Sequence, residues 1–144
     1  MTPDEFVSWL APVAQTSCRK YNLPASVLIA QGALESGWGR YVIGECNLFG
    51  RKWGGWGNYI EVPTTEYYDG NEVHIIDKFQ DYESLEQACD DWCILMREEP
   101  VYDPAEQAWD ATHDIGQFVS TMGPVYATDP DYAGKILATI RACD

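Results

Sequence analysis

Basic side chains are scarce in this chain of 144 residues: 9 Lys and Arg stand against 23 Asp and Glu, a formal charge of −14. That balance gives neither a phosphate backbone nor an anionic lipid surface an electrostatic handle, so nucleic acid and membrane are set aside as partners. Histidine is scarcer still. His74 and His113 stand at no ligand-like spacing from any cysteine pair, and neither a metal site nor a cofactor is expected. No apolar run is long enough to span a bilayer. The start, Met1-Thr2-Pro3-Asp4-Glu5, lacks a basic lead and an apolar stretch, so no signal peptide is visible. Repeats, low-complexity tracts and linkers are missing too, which leaves the expectation of one monomeric domain over 1–144 with no attached module. The five cysteines are an odd number, so a monomer keeps at least one unpaired. Cys89 and Cys93 lie four apart on one expected helix, where they suit a core better than a mutual disulfide.

Hydrophobic residues make up 46% of the chain, enough for a core. Thr2-Pro3-Asp4-Glu5 is a capping box with proline at the first helical position, and Phe6, Leu10, Val13, Ala14 and Ser17 continue one stripe. The first helix is expected from Pro3 to Tyr21. Asn22-Leu23-Pro24 breaks it, and Pro24 is read as the first position of the next helix. Val27, Leu28, Gln31, Leu34 and Glu35 recur there at the spacing of one face. Glu35 shares that face with Leu28, and Gly37 and Gly39 bracket Trp38 as helix terminators. A carboxyl group buried at such an end, beside Trp38, would lose hydration and keep its proton, as a general acid requires. The plain alternative is a last-turn glutamate facing water.

The run Arg51-Lys52-Trp53-Gly54-Gly55-Trp56-Gly57-Asn58 is too rich in glycine for a helix and reads as a loop entering a small sheet. Alternation over Asn58 to Tyr68 and Val73 to Phe79, with Asp69-Gly70 between, predicts a hairpin, the β-lobe at about 52–80. Ser84-Leu85-Glu86-Gln87 is a second capping box, and Leu85, Ala88, Cys89, Trp92, Leu95 and Met96 form the apolar face of what is expected to be the central helix. Pro100 and Pro104 interrupt the chain. Short helices follow over Ala105 to Trp109 and Ile115 to Met122, the latter capped by Asp114. Gly123-Pro124 is read as opening a loop. Asp129 and Pro130 are expected to cap and start the last helix, which buries Tyr132, Ile136 and Ile140.

Read together, Ser26 to Gly39, Asn47-Leu48-Phe49-Gly50, Thr64-Thr65-Glu66-Tyr67 with Phe79 and Tyr82, and Tyr126-Ala127-Thr128-Asp129-Pro130 with Tyr132-Ala133 resemble the glucosaminidase domains of glycoside hydrolase family 73. The segments keep the family's order over most of the chain. The chain departs from it at Gln80, usually Arg there, and at Ala88, often Ser. The resemblance implies an α+β, mainly helical, lysozyme-like fold with a helical lobe and a small hairpin lobe. It implies cleavage of peptidoglycan glycan strands at the bacterial cell wall, whether outside the cell, in the periplasm or delivered by phage.

On that resemblance Glu35 is the proton donor and Glu66, from the hairpin, the second acidic group. An inverting pair stands roughly 6.5–9.5 Å apart, with a water between. A route using the substrate's own acetamido oxygen remains open. Tyr126 matches a tyrosine close to the family's catalytic acid; its bland reading is a core phenol. Asn47 and Phe49 are placed along the sugar groove, with Trp38, Trp53, Trp56 and Tyr132 as further sugar contacts. Asn47 offers an acetamido group a donor and an acceptor, or it merely satisfies loop backbone. The rival readings are a lytic transglycosylase or muramidase on the same scaffold and a non-catalytic glycan-binding module.

Overall fold

Thr2 opens the first helix: its hydroxyl accepts the Glu5 amide hydrogen at 3.1 Å and Pro3 follows it, so that α1 runs Pro3–Tyr21. Asn22, left-handed at φ 53°, ends it. In the computed structural model, which describes residues 1–143, α2 (Ala25–Ser36) comes next. Pro24 sits in extended conformation at the N-cap of α2, one position earlier than expected. A proline there has no side-chain cap to give, and α2 is held by packing instead. Eight of its residues are buried, Val27 through Ala33 and Ser36. This makes α2 the central helix, packed between α1 on one side and the last helix on the other.

The hairpin pairs β1 (Asn58–Tyr68) with β2 (Asn71–Asp81), longer at both ends of β2 than the hydrophobic alternation suggested. Tyr68 faces Asn71 across a two-residue turn in which Asp69 and Gly70 both have positive φ, 52° and 80°, the geometry that matches the twist of the strands. Polar Asn71 and Glu72 join the ladder because backbone pairing there needs no buried face. The register puts Ile60, Val62, Thr64 and Glu66 on one side, half-buried, with Ile75, Asp77 and Phe79. Tyr59, Glu61, Pro63, Thr65 and Tyr67 point to the other, exposed side.

Ser84 caps α3 (Leu85–Glu98) by accepting the Gln87 amide hydrogen at 3.1 Å, while the Gln87 side chain accepts that of Glu83 at 2.8 Å. α3 buries Ala88, Cys89, Trp92, Cys93 and Met96 against α1 rather than occupying the centre. Cys18 and Cys93 meet there, unbridged, with sulfurs 3.8 Å apart. After a single turn over Pro100–Tyr102 comes α4 (Asp103–Thr112), in which Pro104 starts the helix instead of interrupting it. Asp114 caps α5 (Ile115–Tyr126), its Oδ1 accepting from the Gln117 amide at 3.1 Å.

α5 does not stop at Met122. Pro124 lies in its last turn, where little of the ladder remains to be lost, and Tyr126 is still helical. The last helix, α6 (Tyr132–Ala142), begins later than expected: Asp129 and Pro130 form the turn before it, with Asp129 Oδ1 accepting the Asp131 amide hydrogen at 2.9 Å. α5 and α6 approach closely at Gly123, where an added Cβ would stand 3.2 Å from the Cβ of Ala133.

Candidate active site

Glu35 occupies the last-but-one position of α2, a helix end fixed by Ser36 and the glycines beyond it. Gly37 takes the left-handed conformation (φ 58°), the Ser36 hydroxyl donates to the Gly32 carbonyl at 2.6 Å, and it accepts the Gly39 amide hydrogen at 2.9 Å. Ser36 is buried, so its neighbour Glu35 points the other way, and it is exposed. This corrects the premise of a desolvated carboxyl beside Trp38. A last-turn side chain on the rim of the buried face projects past the helix end instead of into the core. Trp38 turns away, its ring edge-on to Phe6 at 5.9 Å, lining a groove with Pro3, Val7 and Ala142.

The partner of Glu35 comes from α6. The Tyr132 hydroxyl donates to Glu35 Oε1 at 2.8 Å. Behind Tyr132 stands Gln31, one turn before Glu35 on α2 and fully buried; its Nε2 donates to the Tyr132 oxygen at 3.0 Å. Gln31 Oε1 in turn accepts from the Trp92 indole of α3 at 2.7 Å. Tyr126 lies flat against Tyr132, the rings 5.7 Å apart and 2° from parallel. Burial raises both phenols above their ordinary range, and the nearby negative charge of Glu35 raises them further. Both are therefore neutral near pH 7, able to donate hydrogen bonds.

Tyr126 also lines a groove of about 350 Å³ with Phe49, Gly50, Arg51, Lys52, Leu95 and Tyr102. Its lining mixes the rings of Phe49, Tyr102 and Tyr126 with cationic side chains from the loop that leads to the hairpin. Arg51 is held by Asp91 at 3.3 Å, and Asp91 also receives the Tyr82 hydroxyl. Tyr126 connects this groove to the Tyr132–Glu35 pair, and ring faces beside such an acid suit a sugar chain whose glycosidic oxygen must be protonated.

The remaining expected site residues have other neighbours. Asn47 is 1% exposed and wholly engaged with backbone: Nδ2 donates to the carbonyls of Arg51 and Gln80, both at 3.0 Å, and Oδ1 accepts the Arg51 amide hydrogen at 3.0 Å. It holds the Asn47–Arg51 turn closed and has no free amide hydrogen for a sugar. Trp53 is covered by Lys78, whose ammonium lies 5.5 Å from its ring and 4.6 Å from that of Tyr59. Trp56 packs 6.1 Å from Tyr82 and lines a different groove with Glu86, Gln87 and Asp90 on α3. Gln80 anchors this glycine-rich loop through Gly54, Trp56 and Asn58.

Glu66 is half-buried on the hairpin, opposite Val73 and two pairs short of the turn. It stands seven positions along the strand from Tyr59, which pairs with Gln80 near the base of the hairpin, about 23 Å at the usual rise. Among the described residues no group of His, Cys, Asp or Glu has the arrangement of a metal site, and no helix is long and apolar enough to cross a membrane.

Gln31, Trp92, Arg51 and Tyr102 belong to the site without having been expected there. For Gln31 a signal existed: an amide four positions before Glu35 on an otherwise apolar face. The others come from distant segments and carry no local mark.

Comparison with known proteins gives consistent results. A family profile described as mannosyl-glycoprotein endo-beta-N-acetylglucosaminidase matches residues 11–144. The chain is 35% identical to the peptidoglycan hydrolase FlgJ of Pseudomonas aeruginosa, over 96% of its own length and 36% of that protein. It is 33% identical to the exo-glucosaminidase LytG of Bacillus subtilis, over 96% of its own length and 51% of that protein. It thus spans roughly a third to a half of these curated relatives. The catalytic domain of the autolysin Auto from Listeria monocytogenes superposes with a TM-score of 0.85 at 32% identity, covering 98% of this chain and 84% of that one.

Proposed function

The chain belongs to the glucosaminidase family, glycoside hydrolase family 73, and from that membership we propose that it hydrolyses peptidoglycan. The bond cleaved is the β-1,4 linkage that follows N-acetylglucosamine, attacked within glycan strands, with Glu35 as general acid. The fold is the family's lysozyme-like one, mainly helical with an antiparallel hairpin. Residues 1–144 act as one catalytic domain, a monomer working on the bacterial cell wall.

The observation that carries this reading is the bond from Tyr132 to Glu35 at an open helix end beside an aromatic groove. As the glycosidic oxygen takes the proton, Glu35 becomes a carboxylate, and a hydrogen bond to a charge is about twice as strong as one to a neutral group. Tyr132 is thus worth more in the transition state than before it. Tyr126, stacked on Tyr132, is placed to orient the acetamido group. Glu66 is the candidate second acid. As the base it would activate the attacking water, whereas the substrate-assisted route needs no base from this lobe.

The test is digestion of purified peptidoglycan, with mass spectrometry of the new reducing ends. N-acetylglucosamine ends are expected from wild type, and none from Glu35→Gln. Ends in N-acetylmuramic acid or its anhydro form would replace this reading by a muramidase or transglycosylase, and release of nothing by a glycan-binding module. An exo mode is the second reading, favoured by the likeness to the exo-glucosaminidase LytG of Bacillus subtilis; it would release only terminal units.

A further inference from the structure

Trp92, Gln31, Tyr132 and Glu35 form one hydrogen-bonded line through the helical lobe, and its direction is fixed from the buried end. An indole nitrogen can only donate. Trp92 therefore compels Gln31 to present Oε1 to it (2.7 Å), which turns the amide nitrogen of Gln31 toward Tyr132 (3.0 Å). An amide nitrogen also only donates, so the Tyr132 oxygen must accept. Its single hydrogen is left for Glu35 Oε1 at 2.8 Å. Trp92 is 2% exposed, Gln31 0% and Tyr132 6%, so water does not compete along the line.

We infer that Trp92 and Gln31 are positioning residues for the proposed reaction: they lock the Tyr132 hydroxyl as a donor to Glu35 Oε1, so that the transferable proton is carried on Oε2. A carboxyl oxygen that accepts a fixed O–H cannot comfortably bear the acid proton, because two hydrogens would then face each other. With Oε1 reserved, the acid has one proton-bearing oxygen instead of two, and no hydroxyl must rotate during transfer. Once the proton has left, the same hydrogen bond meets the new negative charge. Preorganised donors of this kind are effective because they need not reorient as charge develops.

The groups that surround this end of α2 come from several elements. α6 contributes Tyr132, α5 contributes Tyr126, the loop before the hairpin contributes the Arg51 cation near Tyr126, and α1 presents apolar Phe6 and Leu10 to α2. Among the described residues, the hydroxyl of Tyr132 is the one group hydrogen-bonded to the Glu35 carboxylate.

This inference rests on Glu35 being the general acid, but its test does not. The carboxyl carbon of Glu35 is followed by NMR in protein labelled with 13C glutamate, assigned by the signal missing from Glu35→Gln. Tyr132→Phe and Trp92→Phe should both move that signal in the same direction away from its wild-type position. The double variant should match Tyr132→Phe alone, since Trp92 acts only through Tyr132. In all three, kcat should fall with KM kept. A folded Trp92→Phe whose signal and kcat match wild type, or a double variant whose shift is the sum of the two, overturns the inference. If Trp92→Phe does not fold, Gln31→Met carries the same comparison. If wild type releases no glycan fragments, the hydrolase reading fails while the NMR signal still decides this point.

Discussion

Tyr132 and Glu35, 97 positions apart in sequence, meet through a hydrogen bond of 2.8 Å that joins the first residue of α6 to the end of α2. The bond makes the start of α6 part of the acid's environment. Tyr132→Phe keeps the ring stacked on Tyr126 and removes the donor to Glu35, together with the acceptor of the Gln31 amide. A hydrogen bond to a charged group is worth about 1.5–3 kcal/mol, so kcat should fall by roughly 10- to 150-fold. KM should change little, because the charge arises only in the transition state. Steady-state kinetics on soluble glycan fragments measure both.

Glu66 separates two mechanisms. As the base that activates water it should contribute about 10²–10⁴-fold. In the substrate-assisted route Glu66→Gln would lose far less. Turnover of Glu66→Gln on glycan fragments with and without the 2-acetamido group distinguishes the cases. Strong loss in Glu66→Gln with tolerance of the missing acetamido group marks the carboxylate route; the opposite pattern marks the acetamido one.

Local signals carried much of the architecture. The capping box at Thr2 and the break at Asn22 gave both ends of α1, Asp69-Gly70 gave the hairpin turn, and Asp114 gave the start of α5. Each depends on residues within four positions of one another, and such chemistry is written in sequence. Pro124 and Pro130 misled, because a proline reports only its own φ and missing N–H, which a last helical turn and a tight turn both tolerate. Gln31 with Trp92 is a contact across 61 positions, and the bond from Tyr132 to Glu35 spans 97. Neither is set by any window of local sequence. The resemblance brought Glu35, Tyr126 and Tyr132 onto one list of candidates, and the fold gives them one neighbourhood.

Asn47 closes its turn with three hydrogen bonds to backbone. Asn47→Ala would leave the buried Gln80 carbonyl without this donor and loosen the Arg51 segment that walls the groove. The expected cost is about 1–3 kcal/mol, read as a lower midpoint in urea. A glycan ligand role would instead raise KM with stability unchanged, so denaturation and kinetics together separate the two.

Stability should have a plateau bounded on both sides by ionisation. Asp110 is held below its ordinary 3.8 chiefly by hydrogen bonding to Arg97, and Asp129 likewise by Lys135. A depressed carboxyl stabilises the fold above about pH 4 and loses that contribution as pH falls through its folded value. Tyr82, Tyr126 and Tyr132 are raised above 10.0, chiefly by burial. Their contribution is complete below pH 10 and declines as pH rises further, because the unfolded chain ionises first. Thermal melting from pH 3 to 11 should fall at both ends, and Tyr132→Phe should flatten the alkaline fall.

The meeting of α5 and α6 depends on position 123. Gly123 has Ala133 against it, and a Cβ there would stand 3.2 Å from the Ala133 Cβ and 3.4 Å from its Cα and N. Backbone atoms of a helix cannot step aside singly, so Gly123→Ala must spread the two helices. Overpacking of this kind costs about 1–3 kcal/mol, against which the better helix propensity of alanine returns up to about 1 kcal/mol. The net should be a modest loss of stability. The larger effect should fall on activity, because Tyr126 and Tyr132 ride on the two separated helices and their stacking places the donor for Glu35. Gly123→Ala should therefore lower kcat more than its melting point suggests, and Ala133→Gly in the same chain should restore it. Failure of the second change to recover turnover would show that spacing between these helices does not govern the acid.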